Sequence, residues 1–251
     1  MTILPALGLL TVLVVVHEFG HLLVARMLGI GVDVFSIGVG RRLWGFSWRG
    51  TDCRLSLLPF GGYVMLTGAD PMARFDLDPD RDLMRRPPWQ RIAVYAGGPL
   101  ANLVLAVLLF SGLKLASGLA PVSALAGGVA ELGTLVQLMG TQLGMLLTGE
   151  AALTQSIGGP VEIVRQASDA AGLGLGPWIW LVGAISTSVA IINLLPAPIL
   201  DGGRILFFTI EAIRGRPVPL VFQERAQQIG VLAMVALTGV VLVADVHRLI
   251  A

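Results

Sequence analysis

Long apolar stretches dominate this sequence and predict about four membrane-spanning helices. The stretches cover approximately residues 2–28, 92–116, 177–195 and 228–246. Each has close to the about 20 residues that an α-helix needs to cross a hydrocarbon core of about 30 Å. No linker separates two soluble-looking halves, so the pattern predicts one membrane-embedded domain over residues 1–251.

Residues 31–68 follow a different pattern, with short alternating stretches such as Val32–Ile37 and frequent glycines. Such a pattern is typical of short strands joined by turns. Aromatic residues in the same region, including Trp44, Trp48 and Tyr63, suit a position at the membrane interface. We therefore predict a membrane-associated β-hairpin region directly after the first helix.

Residues 127–148 are rich in leucine and methionine and carry almost no charge. This composition predicts an amphipathic or membrane-embedded helix before the third span. A fifth spanning helix at this place is the alternative. It would move the following loop across the membrane and disturb the distribution of positive charge.

Positive charge is concentrated in two loops. Fourteen of the 17 Lys and Arg residues fall within residues 26–91 and 204–225. The positive-inside rule places these loops in the cytoplasm and both termini outside, in a multi-pass protein of the inner (plasma) membrane.

Composition narrows the class of protein further. Hydrophobic residues make up 55% of the chain and charged residues 13%, whereas soluble domains carry about 25% charged residues. The formal net charge of +1 argues against a nucleic-acid partner. Cys53 is the one cysteine in the sequence, which excludes an intrachain disulfide and disfavours a cysteine-ligated metal site.

The first apolar stretch contains the motif His17-Glu18-Phe19-Gly20-His21. Histidines four residues apart share one helix face and can bind one zinc ion, and the adjacent glutamate can take a proton from bound water. Ionisable groups in a membrane span cost about 2.5–3.5 kcal/mol each. Metal binding compensates this cost better than the alternative, a polar patch packed against other helices. The motif's position predicts an active site nearer the cytoplasmic face.

Asp201 is the candidate third metal ligand. It follows Pro196 and Pro198, which break the third span near its cytoplasmic end, and it precedes two glycines. Irregular backbone at membrane depth is tolerated against protein or a polar cavity, so Asp201 can reach the depth of His21. An ordinary Asp-Gly turn is the alternative. His247 lies at the far end of the last span and is a poor candidate.

These two motifs, in this order, resemble the site-2 protease family of intramembrane zinc metalloproteases. Residues 34–40 and 59–64 are similar to the membrane-associated hairpin of the bacterial regulatory members. Residues 97–102, Gly-Gly-Pro-Leu-Ala-Asn, are similar to the GxxxN element of the second span. The resemblance covers most of the chain.

The resemblance implies a protease that cuts peptide bonds within or near transmembrane segments of single-span proteins or peptides in the bilayer. Anti-sigma factors and signal-peptide remnants are the substrates of such regulated intramembrane proteolysis. Alternatives for two of the carried-over residues are close helix packing for Gly98 and a satisfied buried amide for Asn102. The implied roles are zinc ligation by His17, His21 and Asp201, general base for Glu18, and substrate contact for Asn193, Gly98 and Asn102.

One departure from the family pattern concerns substrate access. The regulatory relatives carry PDZ domains between the second and third spans, but residues 117–176 are too short for a typical domain of about 90 residues and lack strand alternation. Three alternatives remain for the control of substrate access. A separate gating or adaptor protein controls it, the amphipathic helix controls it, or access is only loosely controlled. We expect an edge strand near residues 55–58 to hold unwound substrate by β-addition.

Two other classes of protein compete with a protease. A transporter or metal-sensing protein could use the same ionisable residues as an ion path, but the repeated halves of transporters are absent from the sequence. A catalytically inactive relative is the other alternative, and the intact Glu18 argues against it.

Overall fold

The computed structural model describes residues 3–69, 80–149 and 159–250. It is mostly helical, as the sequence predicts, with one small antiparallel sheet. In chain order the elements are α1 (Leu4–Met27), β1 (Val32–Trp48), β2 (Thr51–Leu66), a short 3-10 turn (Leu83–Arg85), α2 (Pro88–Ala116), α3 (Pro121–Thr148), α4 (Pro160–Leu173), α5 (Leu175–Leu194), α6 (Asp201–Arg214) and α7 (Leu220–Ile250).

Five helices in the described ranges are long and apolar enough to cross a membrane. Four of them, α1, α2, α5 and α7, correspond to the predicted spans. The fifth is α3, where the sequence predicts an amphipathic segment over 127–148. The helix begins earlier because Pro121 is well suited to a first helical turn. Two shorter helices, α4 and α6, have no counterpart among the predicted elements.

The hairpin folds back on itself, so that its strands pair twice. The first half of β1 lies between the two ends of β2, because Val34 is paired with both Met65 and Asp52. The first half of β2 is paired on both sides in the same way, since Leu55 faces both Ile37 and Trp44. Leu55 is therefore internal, and Ser56 and Leu58 are each paired with β1 on one side. The prediction of an open edge near residues 55–58 is thus wrong at Leu55.

The chain divides into two compact units. One comprises residues 1–9, 103–191 and 225–251, and the other comprises residues 10–102 and 192–224. In the second unit a buried core joins the end of α1, both strands and the start of α2. This core consists of Leu22, Ala25, Ile30, Val32, Leu66, Leu83 and Val94.

Two glycines let α1 and α2 cross at backbone distance within this unit. A Cβ atom on Gly20 would lie 2.2 Å from the carbonyl oxygen of Gly97, and one on Gly97 would lie 2.7 Å from that of Gly20. Small residues permit such close helix contacts inside membranes. The crossing brings α2 against the histidine face of α1.

Polar contacts tie the helices of the first unit together. Lys114 of α2 donates to Glu131 of α3 at 3.3 Å, and the indole of Trp180 in α5 donates to the other oxygen of Glu131 at 3.2 Å. Asp245 of α7 is buried and accepts hydrogen bonds from the backbone N–H groups of Gly159 and Glu162 at the start of α4.

Candidate metal centre

Three of the predicted residues come together at one point of the second unit. The Nε2 atoms of His17 and His21 lie 3.2 Å apart. Oδ2 of Asp201 lies 3.1 Å from Nε2 of His17 and 3.4 Å from Nε2 of His21. The three side chains are between 9% and 15% exposed, so the cluster is shielded from its surroundings. The α1 spacing supplies the two imidazoles, and the chain after α5 supplies the carboxylate.

Asp201 is the first residue of α6, and a tight turn after α5 places it there. The helix can start so close to this turn because the next residue is glycine: a Cβ atom on Gly202 would lie 2.2 Å from the carbonyl oxygen of Leu195. Burial alone would raise the pKa of Asp201, but hydrogen bonds with His17 and His21 lower that pKa below its usual value. The two histidines therefore favour the charged form of this carboxylate.

The residues present fit a divalent metal ion. The ligand atoms of His17, His21 and Asp201 lie within 4.8 Å of one another, and the buried Oδ2 atom of Asp201 faces the Nε2 atoms of both histidines. Two imidazoles and a carboxylate are ligands that zinc takes in catalytic sites, which use three protein ligands and an open position.

Gly98 keeps the centre of this cluster open. A Cβ atom on Gly98 would lie 2.4 Å from Nε2 of His21 and 2.8 Å from Nε2 of His17. A carbon atom cannot lie this close to either nitrogen, so a methyl group would crowd the space that an ion bound to both nitrogens would use. The structure thus places Gly98 at the metal group itself, where the sequence predicts substrate contact or close packing.

Both imidazoles are oriented by groups on α2. Nδ1 of His21 lies 2.8 Å from the carbonyl oxygen of Val94, which accepts its proton and leaves Nε2 free as a ligand. The side-chain amide of Asn102 lies 3.3 Å from Nδ1 of His17. Rotation of that amide exchanges its nitrogen and oxygen, so its oxygen can accept the Nδ1 proton. Asn102 is fully buried and lies beside His17, not along an open path.

Glu18 lies beside the metal group and against the hairpin. Its carboxylate accepts a hydrogen bond from the backbone N–H of Val64. Its Cγ atom would lie 3.4 Å from a Cβ atom added to Gly62. The carboxylate is thus held by β2 while Asp201 and the histidines occupy the ligand positions. This arrangement suits a base that is not itself a ligand.

Asn193 is half-buried one residue before the end of α5. Among the hydrogen bonds of the described residues, none joins it to His17, His21 or Asp201. Its role in substrate contact stays a prediction.

Sequence reasoning missed the groups that fix α6 against α2. Arg91 of α2 and Glu211 of α6 form a two-pronged ion pair, with Nη1 donating to Oε2 at 3.0 Å and Nη2 to Oε1. The guanidinium also lies 4.6 Å from the ring centre of Phe208. The spacing of 120 residues hides this pair in the sequence, since only the fold brings the two elements together.

Replacing Arg91 with alanine should destabilise the protein strongly. Its side chain is 6% exposed and that of Glu211 16% exposed, so the change leaves a buried carboxylate unpaired, at a cost of about 3–5 kcal/mol. Thermal unfolding in detergent measures the effect. The paired change Arg91→Met with Glu211→Leu should recover most of the loss, because it removes both charges. Equal melting temperatures for Arg91→Ala and the native chain would contradict the prediction.

Fold and site together define a helical membrane protein with a buried site for a metal ion. The model of peptidase family M50 matches residues 5–237, and the chain belongs to this family. The site-2 protease resemblance of the sequence is thereby confirmed.

Curated relatives match almost the whole chain. One from Clostridium perfringens is 27% identical and the alignment covers 98% of each chain. One from Agrobacterium fabrum is 28% identical, covering 94% of this chain and 93% of the relative. One from Mesorhizobium japonicum is 29% identical, covering 96% and 97%. All three carry the name "putative zinc metalloprotease".

The alignments also bear on the missing PDZ domain. The first relative aligns over 334 positions, although this chain has 251 residues. The relative therefore carries many residues without a counterpart here, which agrees with a chain too short for that domain.

Proposed function

We propose that this protein is a zinc-dependent intramembrane endopeptidase that cuts transmembrane segments of single-span proteins. One observation carries the proposal: His17, His21 and Asp201 converge on a space that Gly98 leaves open, with Glu18 beside it. Membership of peptidase family M50 supports the reaction class. Anti-sigma factors and signal-peptide remnants are the substrate types we expect, in regulated intramembrane proteolysis.

The residues divide the work of peptide hydrolysis. Bound zinc would lower the pKa of a water molecule and polarise the scissile carbonyl. Glu18 takes the proton of that water and later delivers it to the leaving amine. The carbonyl oxygen of Val94 accepts the Nδ1 proton of His21 and so leaves its Nε2 free for ligation. The amide of Asn102, rotated so that its oxygen faces His17, would do the same for that ring. Asn193 would hold unwound substrate close to the cluster.

We propose four net crossings of the membrane, although five helices are long enough. His17 and His21 lie in the second half of α1, and Asp201 follows the end of α5. For these residues to meet, the chain must make an even number of crossings between them. Helices α2 and α5 supply two, and a net crossing by α3 would make three.

Four net crossings place both termini outside and the metal group near the cytoplasmic face, because the arginine-rich loops lie inside. The inner (plasma) membrane is the expected location. We also propose that residues 1–251 form one peptidase domain. A separate gating or adaptor protein would control substrate access in place of a PDZ domain.

The free edge of the sheet beside Glu18 suits substrate capture by β-addition. Residues 62–66 pair with β1 on one side only, and Val64 contacts the catalytic carboxylate. An extended substrate added to this edge would present its backbone to the site. Met65→Pro should therefore reduce cleavage and leave zinc content unchanged, because proline disturbs strand pairing. Met65→Ala is the matched control. Undiminished cleavage by the proline variant would remove the β-addition step.

Metal removal tests the proposed function. The purified chain in detergent is incubated with a panel of single-span peptides before and after treatment with a chelator, and zinc is then added back. We expect about one zinc per chain, loss of cleavage with the metal, and recovery with zinc. A chain that binds no divalent metal would overturn the ligand assignment and favour an ion-path protein.

A further inference from the structure

One arginine holds the turn between β1 and β2, residues 48–51, against the end of α1. Nη2 of Arg26 donates to the carbonyl oxygen of Arg49 at 3.0 Å and to the hydroxyl of Thr51. The same atom lies 3.4 Å from the carbonyl oxygen of Trp48, and the guanidinium lies 5.8 Å from the centre of the Trp48 ring, within the range of a cation–π contact. Arg26 belongs to the last turn of α1. A single side chain of α1 therefore contacts most of the turn.

Thr51 connects this contact to the sheet. It is fully buried, and its hydroxyl donates to the carbonyl oxygen of Val32 at 2.7 Å. The hydroxyl accepts from Arg26 at the same time, so it acts as donor and acceptor together. Val32 is the first residue of β1 and belongs to the buried core with Leu22 of α1. Hydrogen bonds therefore run from Arg26 through Thr51 to the start of β1.

The backbone of the turn needs such support. Both of its central residues have left-handed backbone, with φ of 49° at Arg49 and 79° at Gly50. A two-residue hairpin turn with this backbone favours Asn-Gly or Asp-Gly, because few other residues tolerate a positive φ at the first position. Arginine stands there in this chain. The contact of Arg26 with the carbonyl oxygen of Arg49 therefore stabilises a conformation that the turn residues alone disfavour.

The turn leads into a segment of β2 that pairs with the centre of the sheet. Residues 52–55 lie along one side of residues 34–37, and residues 62–65 lie along the other side. Within the second of these segments, the N–H of Val64 donates to the carboxylate of Glu18. The central strand thus has the turn segment on one side and the edge beside Glu18 on the other.

Polar contacts attach this sheet to α1 at two places. Glu18 and Arg26 lie about 12 Å apart along the helix axis, and each contacts a different end of β2. Without the contact at Arg26, residues 52–55 could separate from residues 34–37. The edge at residues 62–66 would then rest on a strand that is paired on one side only.

We propose that Arg26 is a positioning residue for substrate capture, which holds the turn at residues 48–51 against α1 and thereby keeps the edge at residues 62–66 in place beside Glu18. This inference rests on the proposed function, because that edge is where an unwound substrate segment would be added. In this role Arg26 acts through Thr51 and β1.

Cys53 reports the position of the turn without any cleavage. It is the one cysteine of the sequence, and it is paired with both Phe35 and Phe46, so separation of its strand would expose it. Alkylation by a maleimide at one pH should be about tenfold faster in Arg26→Gln than in the native chain, the effect of losing one hydrogen bond to a charged group. Arg26→Lys keeps the charge but not the forked donor geometry, so its rate should be intermediate.

Binding of a fluorescent single-span peptide, with an apolar segment of about 20 residues, measures substrate capture. The Glu18→Gln chain in detergent leaves the peptide uncut, and fluorescence anisotropy gives the affinity. Adding Arg26→Gln should weaken binding about tenfold, by the same loss of a charged hydrogen bond. Zinc content should not change, because groups on α2 orient the two histidines. Arg26→Lys should recover part of the affinity.

Arg41→Gln is the matched control for the loss of charge. Arg41 is exposed in the same hairpin, and the hydrogen bonds and ion pairs of the described residues do not include it. This variant should match the native chain in the alkylation of Cys53 and, in the Glu18→Gln background, in peptide affinity.

Equal alkylation of Cys53 in Arg26→Gln and the native chain would overturn the proposal, because the turn would then not depend on Arg26. Faster alkylation with unchanged peptide affinity, or no peptide binding by the Glu18→Gln chain, would overturn the link to substrate capture. Loss of zinc together with affinity would indicate a general folding defect and contradict a positioning role. None of these readouts depends on cleavage, so a failure here is distinct from a failure of the proposed protease activity.

Discussion

Replacing Glu18 with glutamine should abolish cleavage of single-span substrates while zinc stays bound. The change keeps the size of the side chain and removes its ability to accept a proton. A positioned general base contributes about 10²–10⁴-fold to a rate, so the cleavage rate of Glu18→Gln should be lower than that of the native chain by that factor. Co-expression with a substrate panel, followed by immunoblotting, measures cleavage. Metal analysis of the purified proteins measures zinc.

The metal measurement separates the role of Glu18 from that of a ligand. The geometry brings His17, His21 and Asp201 together, whereas Glu18 contacts the backbone of Val64. Glu18→Gln should therefore hold about one zinc per chain, and Asp201→Ala should hold much less. Loss of zinc in Glu18→Gln would show that the carboxylate is a ligand, and unchanged cleavage would show that it is not the base.

Replacing Gly98 with alanine should remove zinc and, with it, activity. The added methyl group would lie 2.4 Å from Nε2 of His21 and 2.8 Å from Nε2 of His17. Neither imidazole can easily yield, since Val94 and Asn102 hold their other nitrogens. Changes beside metal ligands typically cost about 10–100-fold in metal affinity, and a methyl group inside the ligand cluster should cost at least as much.

Gly112→Ala is the matched control for Gly98→Ala. Both glycines belong to α2, but a Cβ atom on Gly112 would meet nothing within 4 Å. Alanine also favours a helix over glycine by about 1 kcal/mol, so Gly112→Ala should keep its zinc and its stability. Competition with a zinc-sensitive dye measures the affinity of each variant. Equal zinc affinity in Gly98→Ala and Gly112→Ala would contradict the assigned metal position.

Two local features of the sequence determined the main helices and the histidine pair. These features are the length of the hydrophobic runs and the four-residue spacing of the histidines. A run of about 20 apolar residues leaves few alternatives to a membrane helix, and α1, α2, α5 and α7 lie where those runs are. His17 and His21 belong to one helix, so local geometry alone places them together. The Asp-Gly-Gly sequence marked Asp201, although only the family resemblance raised it above an ordinary turn.

The tertiary structure decided what depends on residues far apart in the sequence. The double pairing of β1 with β2 made Leu55 internal and left residues 62–66 as the edge beside Glu18. The order of the strands depends on how the hairpin folds back, and the alternation of apolar and polar residues does not show this. The fold also places Gly98 and Asn102 beside the two histidines. From the sequence, substrate contact, close helix packing and a satisfied buried amide were the roles open to these residues. The sequence by itself determined α1, α2, α5 and α7 and the histidine pair of the metal group, since both depend on neighbouring residues. The space between those ligands needed the fold, because helix crossings create it.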